Sequence, residues 1–465
     1  MENKKDPRRE KLFIDGKSGY ERLYDGQWEL AEAYCEGYKS FLNAGKTERD
    51  CVSEAVFQAE RHGFVPYTPG MEVKAGDKIY LTRMDKTCVL AVVGRKPLSE
   101  GFRMTAAHID SPRIDLKPCP LYEDSGMALL KTHYYGGIKK YHWMASPLEL
   151  RGVVCTPDGG TVRVSVGADE SDPVLVITDL LPHLGQDQMK KPVAEAFPGE
   201  GLNVLAGSRP DPAEGSDRVK LAVMALLHEK YGITERDFAS AELCLVPAGT
   251  ARDVGLDRTM IGAYGHDDRV CAYAGLRALF DIGPLPEYTA VCYLADKEEI
   301  GSEGVTGMQS AFFDRFMDRL CAARGVSLRE CFAQSFCLSA DVCNAFDPNF
   351  PEVSDPRNDG RLGNGVAICK YTGSRGKAGA SDASAETMAY LRGVLDKAGV
   401  FWQTSELGKV DKGGGGTVAA YLARRDIPVV DCGVPVLSMH APFEVVSKLD
   451  TYMMYKACLA VYRDQ

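Results

Sequence analysis

Apolar and polar residues follow two rhythms along this chain, and the points where the rhythm changes divide it. Near the start the period is helical. Leu30–Leu42 and Thr47–His62 read as helices. Val52, Ala55, Val56 and Ala59 form an i, i+3, i+4, i+7 stripe, with Thr47 as N-cap and Gly63 as stop. Lys78–Arg83, Thr87–Val93 and Phe102–Ala107 then read as strands separated by turn residues. From Leu116 to Pro247 the texture changes to short β-like segments: Met127–His133, Leu148–Val154, Thr161–Val166 and Val174–Ile177. A loop-rich stretch, Leu180–Ser216, and a helix over Ser216–Tyr231 close this block. After Ala251 strands and helices alternate. The strands are Tyr288–Leu294, Ser335–Ser339, Phe401–Thr404 and Ile427–Val434; the helices are Arg269–Phe280, Phe312–Ala323, Leu328–Ala333, Ser384–Ala398, Thr417–Arg424 and Ser447–Tyr462.

Such alternation predicts an α/β fold with a mostly parallel sheet and helices on both faces. The pattern assigns residues 1–115 and 251–465 to one discontinuous α/β domain, interrupted by an inserted β-rich domain at 116–250. With 465 residues, 45% hydrophobic and 26% charged, the chain has the profile of a globular protein of two or three domains. A net charge of −10 with no Lys/Arg cluster argues against nucleic-acid binding. No apolar run approaches the length of a membrane span. The first ten residues lack the apolar core of a signal peptide, so a cytoplasmic protein is expected. The fifteen cysteines include no C-x-x-C pair and read as small buried hydrophobes. Any metal should therefore be held by His, Asp and Glu.

Candidate chemistry gathers at strand exits, where open α/β sheets bind ligands. The strand ending at Leu294 runs into Ala-Asp-Lys-Glu-Glu-Ile-Gly-Ser-Glu-Gly, residues 295–304. The adjacent acids Glu298 and Glu299 repel each other unless a cation lies nearby. His108 and Asp110 follow the strand over Phe102–Ala107, in a spacing that suits a ligating His and the carboxylate orienting it. Asp267 lies in His-Asp-Asp-Arg at a helix start; Asp341 follows Ser335–Ser339; His440 follows the last strand region. Each also reads, alone, as an ordinary acidic turn or surface histidine. Together they suit two divalent ions, which two-metal hydrolases hold about 3.5–4 Å apart. A carboxylate can bridge such a pair, and one left off the metals can act as base.

The order His-Ile-Asp-Ser-Pro, Asp-Asp-Arg, Asp-Lys-Glu-Glu-Ile-Gly-Ser, Ser-Ala-Asp, Leu-Ser-Met-His resembles the aspartyl aminopeptidase / vacuolar aminopeptidase I family of zinc metallopeptidases, closest to its bacterial aminopeptidase I branch. Tyr135-Gly136-Gly137, Trp143 and the run Val434–His440 also match, so the resemblance covers the chain from about Ala107 onward. It implies two Zn2+ per subunit, with Co2+ or Mn2+ as possible substitutes. His108 and Asp341 would hold one ion, Glu299 and His440 the other, and Asp267 would bridge them. Glu298 would be the general base, taking a proton from a water shared by the metals, and Asp110 would orient His108. It further implies a cis bond at Asp267–Asp268, dimers formed through the inserted domain, and their assembly into a tetrahedral dodecamer.

The expected activity is hydrolysis of the N-terminal residue from peptides with a free α-amino group. Two departures concern specificity. Trp143-Met144-Ala145-Ser146-Pro147-Leu148 lacks the charges common after that Trp, and Gly413–Gly416 replaces a more polar loop. His142 stands beside the slot, here Tyr141, where some members carry a His that serves a neighbouring subunit's site. His266 reads as a loop residue rather than a third ligand. The rival readings are another amide hydrolase of the same architecture, such as a deblocking aminopeptidase or deacetylase, and a non-catalytic assembly or cargo protein.

Overall fold

A computed structural model of the chain describes residues 8, 12–14 and 16–464. The decapeptide read above for a leader lies, apart from Arg8, outside the described residues.

Predominantly apolar runs become the central strands. Phe102–His108 (β1), Thr289–Ala295 (β2), Phe336–Ser339 (β3) and Val429–Gly433 (β4) are buried at every position, as strands covered on both faces must be. They are mutually parallel in the order β2–β1–β3–β4. Thr87–Val92, Lys78–Arg83 and Val65–Pro66 extend the sheet beyond β2; Val366–Cys369 and Trp402–Thr404 extend it beyond β4. Of the eight pairings in this nine-stranded sheet, five are parallel and three antiparallel.

Successive strand residues serve opposite layers. Along β2, Ala290, Cys292 and Leu294 pack with the helices Gln27–Ala44, Glu48–Arg61, His266–Phe280 (α1) and Lys448–Tyr462 (α2). Val291, Tyr293 and Ala295 face Phe312–Ala322, Leu328–Ala333 and Ala419–Ala423. Thr47 caps its helix as expected, its side chain accepting the Asp50 N–H at 3.2 Å. Gly275 lets α1 press onto β1: a Cβ there would lie 2.5 Å from Thr105 Oγ1.

A second, seven-stranded sheet is built from residues between Arg113 and Pro247, with every pairing antiparallel. The helix Arg218–Tyr231 packs on it. Three of its strands, Arg113–Asp124, Val204–Gly207 and Ala241–Pro247, were not evident in the hydrophobic pattern, the second lying in the stretch expected to be loop. The first carries Pro118 and Pro120 and breaks register between Leu116 and Leu121, so alternation is lost at the bulge. A third sheet, of five short strands including Met260–Ala263, Pro435–Leu437 and Glu444–Ser447, was likewise not anticipated. Part of the glycine run, Gly414–Gly415, pairs with Gly373–Ser374.

All fifteen cysteines are free, and only Cys119 and Cys155 are exposed. Among the described residues no helix is long and apolar enough to cross a membrane.

Candidate metal centre

The parallel register carries the site residues to one end of the sheet. His108 closes β1 opposite Ala295, the last residue of β2. The chain leaving β2 turns at Lys297, whose φ is +69°, into a single turn, Glu298–Ile300. Asp341 follows β3 by two residues. Asp267 lies at the start of α1 with non-helical φ and ψ, and the Asp267–Asp268 peptide bond is cis. His440, with φ +64°, leaves the strand Pro435–Leu437.

Among the described residues, three sets of possible metal-binding side chains form here: His108 with Asp267 and Asp341; His108 with Glu298 and Glu299; and Asp267 with Glu299 and His440. Asp267 is common to the first and third. Its Oδ1 lies 3.0 Å from His108 Nε2 and its Oδ2 lies 3.2 Å from His440 Nε2. Glu299 Oε2 is 3.6 Å from His440 Nε2, and Asp341 Oδ1 is 4.0 Å from His108 Nε2.

The imidazoles are oriented from behind. His108 Nδ1 lies 2.9 Å from the Asp110 carbonyl and His440 Nδ1 lies 2.8 Å from the Gly137 carbonyl. A carbonyl only accepts, so each Nδ1 carries the hydrogen, and in a neutral ring each Nε2 turns a lone pair toward Asp267. The expected orienter of His108 is thus the backbone of Asp110 more than its carboxylate, which stands 3.4 Å away. The strand has ended by Asp110, so its side chain is free to turn elsewhere: it accepts the N–H groups of Glu298 at 3.1 Å and Glu299 at 3.2 Å.

His266 is buried with both ring nitrogens engaged, by Tyr38 Oη at 2.7 Å and the Ile261 carbonyl at 3.1 Å. It is a buried packing residue at the start of α1 rather than the loop residue expected, and it belongs to none of the three sets. His142 belongs to none of the three sets; it lies in the turn Lys140–Trp143 with its Nδ1 buried and unpartnered. Sequence reasoning overlooked Glu444. It is 1% exposed and accepts the His440 N–H at 2.7 Å and the Asp267 N–H at 3.1 Å. Its one visible signal is an acid inside the apolar run Phe443–Val446.

The arrangement can be set beside known proteins. The family model for aminopeptidase I zinc metalloproteases, M18, matches residues 41–462. The chain belongs to this family. It is an aminopeptidase of the zinc metalloprotease class. A probable M18 family aminopeptidase 1 from Clostridium acetobutylicum is 46% identical over 450 residues, spanning 95% of this chain and 97% of that protein. One from Thermotoga maritima is 44% identical over 444 residues, spanning 93% and 96%. The crystal structure of the M18 aminopeptidase from Thermotoga maritima superposes with a TM-score of 0.93 at 41% identity, covering 97% of this chain and 100% of that one. Aminopeptidase I from Clostridium acetobutylicum gives 0.91 at 43% identity, covering 98% and 100%.

The donor set suits the metal in the M18 family's name. Asp267 Oδ1 and Glu299 Oε1 are buried with no hydrogen-bond partner, which natural proteins avoid unless something else satisfies them. Burial lifts Asp341 and Glu299 well above the usual carboxylate range, and lifts Glu298 up to about 7. Burial disfavours a charged His440 too, but Asp267 and Glu299 overcome it and push the imidazole up to about 10. Carboxylates this crowded and dry call for a cation, and a mixed imidazole–carboxylate set is one that zinc accepts.

Proposed function

We propose that this M18 aminopeptidase works with two zinc ions, one held by His108 and Asp341, the other by Glu299 and His440, with Asp267 shared. The observation that carries the reading is Asp267 itself, whose two oxygens each face a different imidazole. When bound, the pair would supply Lewis-acid activation of a water and of the scissile carbonyl, with Co2+ or Mn2+ as substitutes. Glu298 is the general base: its elevated pKa suits a group that accepts a proton near neutral pH and returns it to the departing amine. Substrates are peptides with a free α-amino group.

Residues 116–250 serve dimerisation, and dimers assemble into a tetrahedral dodecamer. Exposed apolar side chains there, Leu180, Leu181, Leu184, Met189 and Val193, favour such contacts. His142, half-buried in the turn Lys140–Trp143, is offered across an interface to a neighbouring site. The enzyme acts in the cytoplasm.

The test is amino-acid release from a mixed peptide library by zinc-loaded wild type and Glu298→Gln. Wild type should release single N-terminal residues, and the variant should lose several orders of magnitude in rate. Cleavage confined to N-acetylated peptides would overturn the reading in favour of a deblocking enzyme or deacetylase.

A further inference from the structure

Three donors converge on the Asp110 carboxylate, which is 0% exposed. Its Oδ1 accepts the Glu298 N–H at 3.1 Å; its Oδ2 accepts the Glu299 N–H at 3.2 Å and the Tyr135 hydroxyl at 2.8 Å. Two consecutive N–H groups bound to one carboxylate fix the peptide plane between them, and with it the directions in which both glutamate side chains leave the backbone. The terminal torsion of an aspartate is broad. The Tyr135 hydroxyl is the one side-chain donor among the three that pin that plane.

Tyr135 is itself braced. It pairs in register with Arg113 where the strands Arg113–Asp124 and Met127–Tyr135 meet the catalytic sheet. The Arg113 guanidinium lies 4.1 Å from the Tyr135 ring centroid, 2.9 Å from Glu48 and 2.8 Å from Asp115. Glu48 also lies 3.2 Å from Lys86 Nζ, which stands 3.7 Å from Asp296, two residues before Glu298. Two arms from one buried glutamate therefore lead to the Asp296–Glu299 segment, one through Lys86 and one through Arg113, Tyr135 and Asp110.

We propose that Tyr135 is a positioning residue for the Glu298–Glu299 turn, acting through Asp110, with Arg113 and Glu48 holding it in place. This rests on the reading of Glu298 as base. It also ties the second sheet to the chemistry, because Tyr135 and Arg113 both belong to that sheet.

The test uses the full chain loaded with Zn2+ or Co2+ and the best-cleaved peptide from the library. Tyr135→Phe keeps the ring and its contact with Arg113 and removes only the hydroxyl. A misplacement of about 1 Å at a reacting group costs on the order of a hundredfold. The expected result is a kcat ten- to a hundredfold lower with KM within twofold, full Co2+ stoichiometry and an unchanged melting temperature. In the Asp110→Asn background the same substitution should cost no more than a further twofold. The proposal is overturned if Tyr135→Phe keeps its kcat within twofold while Glu298→Gln is inactive, or if the losses from Tyr135→Phe and Asp110→Asn multiply. Full activity in Glu298→Gln would instead overturn the base assignment, and this proposal with it.

Discussion

Replacing Glu444 with Gln probes how the two segments that carry Asp267 and His440 are tied together. One carboxylate spans them, with Oε1 on the His440 N–H at 2.7 Å and Oε2 on the Asp267 N–H at 3.1 Å. Glutamine fills the same volume, so no cavity term arises. It has only one oxygen, however, and its amide nitrogen would meet a second N–H, donor against donor. Leaving a buried N–H without an acceptor costs about 1–3 kcal/mol. Burial, with the charge of Asp267 second, pushes Glu444 up to about 8. Even a protonated Glu444 keeps two oxygens able to accept, which an amide NH2 does not offer.

The cost should fall on metal binding, since under the proposed function the orphaned N–H belongs to the backbone of a residue that would hold zinc. Groups that orient ligands typically change affinity by about 10–100-fold. Competition against a chromogenic chelator would measure zinc affinity in wild type and Glu444→Gln, and hydrogen exchange at the Asp267 and His440 amides would report the local loosening. Zinc affinity within twofold of wild type, with both amides exchanging as slowly as before, would refute the reasoning.

Two further perturbations act away from the candidate metal centre. Gly275→Val places side-chain atoms where a Cβ already lies 2.5 Å from Thr105 Oγ1, and that hydroxyl is committed to Tyr462; overpacking of about 1–3 kcal/mol should lower the urea midpoint, and an unchanged midpoint would contradict the close packing of α1 on β1. Asp450 accepts the N–H groups of Gly363 and Gly365, yet burial lifts it up to about 7. Folding therefore favours its protonated form, and this carboxyl withdraws stability as pH rises from the ordinary aspartate range through about 7. Asp450→Asn should cost more stability at pH 5 than at pH 8 in thermal unfolding, and an equal cost at both would show that Asp450 is ionised throughout.

Strand exits were legible because the strands feeding them are buried on both faces. β2 carries no polar residue after Thr289 and β1 none between Thr105 and His108, so His108 at the strand end and the Asp296–Glu299 group stand out against the pattern. The short strands of the third sheet offer no such contrast. Glu444 begins one of four residues, flanked by Phe443 and Val445, and nothing in its neighbourhood separates an anchor from an edge-strand acid. Asp110 was legible as a residue but not in its action, because strand geometry predicts where a side chain points only while the strand lasts, and this one ends at His108. What sequence pattern conveys is therefore the set of side chains at the mouth of the sheet. The backbone amides of Asp267, Glu298, Glu299 and His440 that Asp110 and Glu444 fasten carry no sequence signature, since every residue other than proline has one. That asymmetry marks where function-altering substitutions should hide: at buried acids whose partners are main-chain N–H groups of the turns that carry the candidate ligands.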